Sequence, residues 1–105
     1  MQSVDNSGGE IVSMCATEIL HAGAECIADR GKQRDQQNGE RSMGRAVAAF
    51  NALTGCELSE RDGWLFMAVL KAARAATIGG RHNADDYVDG AAYFALAGES
   101  AEREA

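Results

Sequence analysis

The chain has 105 residues, the size of one domain, and its formal net charge is −6 at pH 7. A net negative surface repels phosphodiester backbones, so general DNA or RNA binding is disfavoured. Proline is absent, 46% of the residues are hydrophobic and only 6% are aromatic. This composition predicts an all-α fold, because proline is the residue that disrupts helices most.

The first predicted helix follows a polar, glycine-containing segment, residues 1–9, which we expect to be flexible and which lacks the regions of a signal peptide. From residue 10 to about Asp29, apolar residues recur at helical spacing. They are Ile11, Cys15, Ile19, Ala22 and Cys26. Gly23 indicates a close packing contact or a weak point. On one helix, Cys15 and Cys26 would lie roughly 16 Å apart, so reduced cysteines and a cytoplasmic protein are predicted.

A long polar loop is predicted next, over residues 30–40, because RGKQRDQQNGE lacks apolar periodicity and contains the turn signal Asn38-Gly39. Connections of this length are unusual between bundle helices and are often functional. The loop carries three cations that are candidates for phosphate binding, because arginine and lysine pair with phosphate oxygens. They are Arg30, Lys32 and Arg34. The alternative is a solvated loop whose cations pair with neighbouring acidic residues.

A second helix is predicted over residues 41–54, and a glycine at its end, Gly55, is suited to a left-handed cap. Its apolar stripe consists of Met43, Val47, Phe50 and Leu53. The helical spacing of these four residues predicts one face that packs against the rest of the domain.

The third helix is predicted over residues 59–77, and Ser59 and Asp62 at its start resemble a capping box. The segment from Trp64 to Leu70 is apolar on every side. Since a helix without a polar face is normally buried, we predict that this segment is the most buried part of a central helix. Gly79-Gly80 is expected to end the helix.

The fourth helix is predicted over residues 84–99, with Asn83 as its N-cap and a flexible tail at residues 100–105. Small residues between Gly90 and Ala97 would allow another helix to approach closely. Residues 10–99 thus form one predicted helical domain. No apolar stretch approaches the ~20 residues that a membrane span needs.

The third and fourth helices carry the most informative charges. Asp85, Asp89 and Tyr93 are spaced i, i+4 and i+8 and share one helix face, while Lys71 and Arg74 lie one turn apart before the connecting turn. Two such carboxylates can hold Mg²⁺, and the two cations can neutralise a triphosphate. The alternative is structural: Asp89 forms an interhelical salt bridge with either cation, and Tyr93 is a packed aromatic.

The segments "VLKAAR" and "DDYVDGAAYFAL" resemble the Lys-x-x-Arg … Asp-Asn-x-x-Asp-x-x-x-Tyr signature of small phage and prophage proteins. Those proteins look like relatives of the MazG-like all-α nucleoside triphosphate pyrophosphatases. The resemblance extends through "DRGKQRDQQNGERSM" and "FNALTG" and covers about residues 29–99. It implies a MazG-like four-helix bundle, a Mg²⁺-dependent pyrophosphohydrolase and a location in the cytoplasm of a bacterial host.

In the MazG-like enzymes one helix carries Glu-Glu-x-x-Glu and a later helix carries Glu-x-x-Asp, which together bind Mg²⁺. By that resemblance Asp89 corresponds to the final aspartate. The chain departs from the pattern elsewhere, since its first helix offers only Glu18 and Glu25, and Asp86 stands three residues before Asp89. Because two-metal chemistry needs a richer acidic set, binding without catalysis stays open.

The resulting hypothesis is a phage-type protein that binds a nucleotide or a similar phosphate ligand, with Mg²⁺-dependent hydrolysis as its enzymatic form. The predicted metal residues are Asp85, Asp89, Glu18 and Glu25, and the predicted phosphate residues are Lys71, Arg74, Arg30, Lys32 and Arg34. A domain this small also predicts a homodimer. The alternative is a non-catalytic phage accessory protein that binds a host protein through its acidic surface, for example to inhibit a host defence system.

Overall fold

The computed structural model describes residues 13–34, 42–77 and 79–104, and the side chains of residues 30–34 lie outside this description. These ranges contain four helices and no strand. The helices are α1 (Ala16–Arg34), α2 (Met43–Thr54), α3 (Glu60–Ala75) and α4 (Ala84–Glu104). The predicted all-α, four-helix class is confirmed. None of the helices in the described ranges is long and apolar enough to cross a membrane.

Helix α4 is the centre of the fold. It runs antiparallel to α3 in the most extensive helix pair, and α1 packs against α4 while α2 packs against α3. The buried apolar side chains of α4 are Val88, Ala92, Leu96 and Ala97. Because α4 lies between α1 and α3, its small residues are covered on both sides.

The prediction that Trp64 to Leu70 form the most buried segment is wrong. No residue of α3 is buried, and Phe66 and Leu70 are 66% and 40% exposed. Helix α3 meets α4 on one side and α2 on another, and no other helix of the described chain packs extensively against it. An all-round apolar pattern shows that a helix face avoids water, but it does not show which molecule covers that face.

The predicted loop from residue 30 is wrong for residues 30–34, because α1 continues to Arg34. Arginine, lysine and glutamine are good helix formers, so the loss of apolar periodicity does not by itself end a helix. At its other end α1 starts at Ala16, where the Glu18 carboxylate accepts a hydrogen bond of 2.9 Å from the backbone N–H of Cys15. This hydrogen bond holds the pKa of Glu18 below its usual value. Ile11 and residues 1–9 lie outside the described ranges.

Small residues permit the closest helix contacts, as the composition of the fourth helix predicted. A Cβ atom on Gly23 of α1 would lie 3.3 Å from the carbonyl oxygen of Val88, and one on Gly90 would lie 3.6 Å from the Cβ of Lys71. At the α2–α3 contact, a Cβ on Gly63 would lie 2.8 Å from Cγ2 of Val47. Gly23 is therefore a packing contact and not a weak point.

The predicted caps are present. Ser59 Oγ accepts a hydrogen bond from the N–H of Asp62, and the Asp62 carboxylate accepts one from the N–H of Ser59. Gly55 adopts a left-handed φ of +79°, and the Asn83 side chain accepts a hydrogen bond from the N–H of Asp85. Helix α3 ends at Ala75, two residues earlier than predicted, and the turn that follows includes Gly79 at a φ of +79°.

Helix α4 extends to Glu104, so the prediction of a flexible tail from residue 100 is wrong for the described residues 100–104. Ser100 is only 2% exposed, and Arg103 lies 3.4 Å from the Glu60 carboxylate at the start of α3. Glu60 also accepts a hydrogen bond from the Trp64 indole N–H. These contacts anchor the last turn of α4 to α3, which explains why it stays helical.

Candidate functional site

Two ion pairs cross between the C-terminal half of α3 and the N-terminal half of α4. Lys71 Nζ lies 3.2 Å from Asp89 Oδ2, and both side chains are largely buried, at 15% and 19% exposed. One turn further along α3, Arg74 Nε lies 3.3 Å from Asp86 Oδ1. The structure thus contains the interhelical salt bridge that the structural alternative predicted for Asp89. Tyr93 stacks on Trp64 with ring centroids 5.8 Å apart, as a packed aromatic.

Asp86 is the buried carboxylate of this region, and the sequence reasoning did not select it as a site residue. It is 7% exposed. Although Arg74 Nε is near its Oδ1, the geometry makes no hydrogen bond, and this oxygen accepts none from any described residue. Its position in the sequence could have identified it, because Asp86 stands three residues before Asp89 and residues at that spacing share one helix face, here the α3 side of α4.

The four carboxylates predicted to bind metal do not form one group. Asp89 pairs with Lys71, while Asp85 is exposed in the first turn of α4. Glu18 caps the start of α1, and Glu25 is exposed on the same helix. Within residues 13–34, 42–77 and 79–104, no three His, Cys, Asp or Glu side chains are arranged to hold a metal ion. The side chains of Arg30, Lys32 and Arg34, predicted to bind phosphate, lie outside the described structure.

A cationic pocket of about 190 Å³ lies at the turn between α3 and α4. Its lining consists of Arg74, Ala75, Thr77, Gly80, Arg81, His82, Asn83 and Tyr87. Helix α4 begins here, where the N–H of Asp85 donates to the Asn83 side chain and the N–H of Asp86 donates to the Asn83 carbonyl. Arg81 and His82 were missed from the sequence, although their position just before the Asn83 cap is a signal for anion binding.

An apolar groove of about 440 Å³ adjoins the cationic pocket and shares Ala75 and Tyr87 with it. Its lining combines small residues with two aromatic side chains. The lining residues are Ala68, Lys71, Ala72, Ala75, Ala76, Asp86, Tyr87, Gly90, Ala91 and Phe94. Tyr87 and Phe94 are 47% and 65% exposed. The turn between α3 and α4 thus has a cationic pocket beside an apolar groove.

The comparisons with known proteins identify a family without an assigned activity. Residues 18–101 match the family model described as "Domain of unknown function (DUF6378)". The matched range includes both walls of the cationic pocket and of the apolar groove. No curated protein and no solved structure shows significant similarity to the chain.

Proposed function

The chain belongs to the DUF6378 family, and we propose that it binds a nucleotide or a similar phosphate ligand at the turn between α3 and α4. One observation carries this proposal: the cationic pocket and the apolar groove share Ala75 and Tyr87 in their linings, so the two cavities are neighbours. A nucleotide has the same polarity pattern, because its phosphates are anionic and its base is flat and largely apolar on both faces.

The phosphate end of the ligand is assigned to the cationic pocket. Arg74 and Arg81 offer guanidinium groups that bind phosphate oxygens in a fork. Of the two phosphate residues predicted on α3, Arg74 is better placed, since its side chain is 54% exposed. Lys71 is largely buried beside Asp89 and would contact a phosphate only after leaving that pair.

The base end is assigned to the apolar groove. Tyr87 lines both cavities and is half-exposed. Its ring stacks on His82 with ring centroids 5.9 Å apart, so the base is assigned to the ring face that His82 does not cover. Aromatic rings bind bases by stacking at a strength of about 1–3 kcal/mol per base. The alanine and glycine residues in the lining have short side chains or none, which leaves space for a planar ring.

In this proposal Mg²⁺ binds as part of the ligand and not at a site of the protein alone. The described carboxylates do not make up a resident metal site, since Asp89 and Asp86 are paired with cations and no third carboxylate joins them. A nucleoside triphosphate carries Mg²⁺ on its own phosphates, and that ion keeps several waters. In the enzymatic form of the proposal, the protein takes the Mg²⁺–triphosphate complex as substrate. Water attacks the α-phosphorus and the α–β phosphoanhydride bond breaks, which gives a nucleoside monophosphate and pyrophosphate.

A thermal-shift panel tests the proposal. Nucleoside triphosphates and inorganic triphosphate, each with and without Mg²⁺, should raise the Tm of the wild-type protein, because a ligand of the native state stabilises it. Arg81→Ala should abolish the rise, whereas Arg45→Ala, an exposed arginine on α2, should retain it. Pyrophosphate release in the same samples reports hydrolysis. If no phosphate compound shifts the wild-type Tm, the proposal is wrong.

An exposed apolar face favours a second function, in protein association. Large apolar side chains on α2 and α3 are exposed in the single chain: Phe50, Leu53, Phe66, Val69 and Leu70. We propose that a second copy of the chain covers the α3 part of this face. Helix α3 is acidic at its start and carries the exposed Arg74 in its last turn, so two copies in antiparallel contact would place opposite charges together. A host protein is the alternative occupant.

A further inference from the structure

Asp86 is a buried acceptor that lacks a hydrogen-bond donor, and it lines the apolar groove. Its side chain is 7% exposed, and its Oδ1 accepts no hydrogen bond within the described chain. A buried acceptor without a hydrogen bond destabilises the fold, and here the ion pair with Arg74 Nε at 3.3 Å offsets part of that cost. The neighbouring Arg74 side chain, which is 54% exposed, covers Oδ1 without a hydrogen bond and also lines the cationic pocket.

An ionised carboxylate presents two acceptors and no donor. Among the common nucleobases, guanine alone presents two adjacent donors on one edge, its N1–H and its N2 amino group. Adenine and cytosine place an acceptor beside their amino group, and uracil places a carbonyl on each side of its N–H. A carboxylate on the wall of a base-binding groove therefore discriminates in favour of guanine.

We propose that the groove selects guanine nucleotides, with the Asp86 carboxylate accepting hydrogen bonds from N1–H and N2–H of the base. This inference rests on the proposed nucleotide binding. Arg74 moves from Asp86 to the phosphates when the ligand binds, which uncovers Oδ1 for the base. The net charge of −6 favours a free nucleotide over a guanine within a nucleic acid.

Binding of four compounds to the wild-type protein, measured by calorimetry, tests the inference: GTP, ITP, ATP and inorganic triphosphate. ITP differs from GTP only in lacking the N2 amino group, so it is the matched ligand control. We expect GTP to bind at least about tenfold more tightly than ITP and ATP, in line with the discrimination of a bidentate base contact. Equal affinities for all three nucleotides would overturn guanine selection while leaving nucleotide binding intact.

The substitution Asp86→Asn tests the residue itself. Its amide should weaken GTP binding at least about tenfold, remove the difference between GTP and ITP, and leave inorganic triphosphate binding unchanged. Asp85→Asn, one residue away and exposed, should retain the preference for GTP. A preserved GTP preference in Asp86→Asn would overturn the assignment of Asp86. Should that variant fail to fold, the GTP and ITP affinities of the wild type decide. If no compound binds, the proposed function itself fails.

Discussion

At the scale of single residues, the functional question centres on two aspartates of α4, Asp86 and Asp89. Both lie opposite a cation on α3, yet their surroundings differ. Asp89 and Lys71 are largely buried together at 3.2 Å, whereas Asp86 is buried beside an exposed Arg74 and lacks a hydrogen bond on Oδ1. Asp89 therefore has the features of a structural residue, whereas Asp86 is the carboxylate for which we propose a ligand contact.

Asp89→Asn separates the salt-bridge role from the metal-site role. The substitution leaves the largely buried Lys71 without its carboxylate, so we expect the free energy of unfolding to fall by about 1–3 kcal/mol, between the values for exposed and buried pairs. The measurement is denaturant unfolding at pH 7. Asp85→Asn is the control and should change stability little, since Asp85 is exposed.

A metal site predicts a different result for Asp89→Asn. If Asp85 and Asp89 held Mg²⁺, their mutual repulsion would weaken the apo protein, and the substitution would leave stability unchanged or raised while abolishing nucleotide binding. That combination would contradict the structural role of Asp89.

The pH dependence of the α3 cap follows from Asp62. The hydrogen bond from the Ser59 backbone N–H lowers the pKa of Asp62 from its ordinary value of 3.8. A lowered pKa in the folded state means that the cap contributes stability above pH 3.8, and that this contribution is lost as pH falls through the folded pKa. Asp62→Ala should therefore have a lower Tm than wild type at pH 7 and a smaller difference at about pH 2.5. A difference that stays constant across this range would contradict the assignment.

At the scale of helices, the space around each glycine shows where two helices approach closely. Gly63 of α3 faces α2, where an added Cβ would meet Val47 Cγ2 at 2.8 Å, whereas Gly98 of α4 has no atom within 4 Å of that position. Both glycines lie inside helices, so alanine should add up to about 1 kcal/mol of helix propensity at each. Their different surroundings decide the net effect.

We therefore expect Gly98→Ala to raise the free energy of unfolding by up to about 1 kcal/mol. Gly63→Ala should lower it by about 1–3 kcal/mol, because overpacking of the buried Val47 outweighs the propensity gain. Denaturant unfolding of both variants and the wild type measures the two effects. Equal stabilisation by both substitutions would show that α2 moves away from α3 without cost.

At the scale of the whole molecule, the exposed face of α3 predicts self-association. Phe66, Val69 and Leu70 are 66%, 61% and 40% exposed in the single chain, and large exposed apolar patches are typical of interaction sites. Covering them with a second copy would complete the burial that the apolar run of α3 calls for. The central position that the sequence suggested for α3 would then apply to the dimer and not to the single chain.

Light scattering at tens of micromolar protein tests this prediction. The wild type should be a dimer, and Phe66→Asp should be a monomer because it places a charge in the interface. Leu20→Asp is the matched control, since Leu20 is also exposed, at 63%, but lies on α1. A monomeric wild type would overturn the dimer and leave a host protein as the proposed occupant of the face.

The sequence by itself determined the local structure. Four helices, the capping box at Ser59, the left-handed cap at Gly55 and the cap at Asn83 were all predicted, because each depends on residues within about four positions of one another. The close approach at Gly23 and along α4 was foreseen from residue size. The sequence also placed the candidate site at the junction of the third and fourth helices.

Only the tertiary structure decided which surfaces meet. Apolar residues indicate that a helix face is buried in some contact. Whether α4 or α3 is the central helix depends on where α1 and α2 pack. The same holds for the site. The Lys71–Asp89 pair and the groove beside Tyr87 each combine residues of α3 and α4. The buried oxygen of Asp86 without a hydrogen bond depends on how these two helices pack. Such features depend on distances between elements, which periodicity along one chain does not specify.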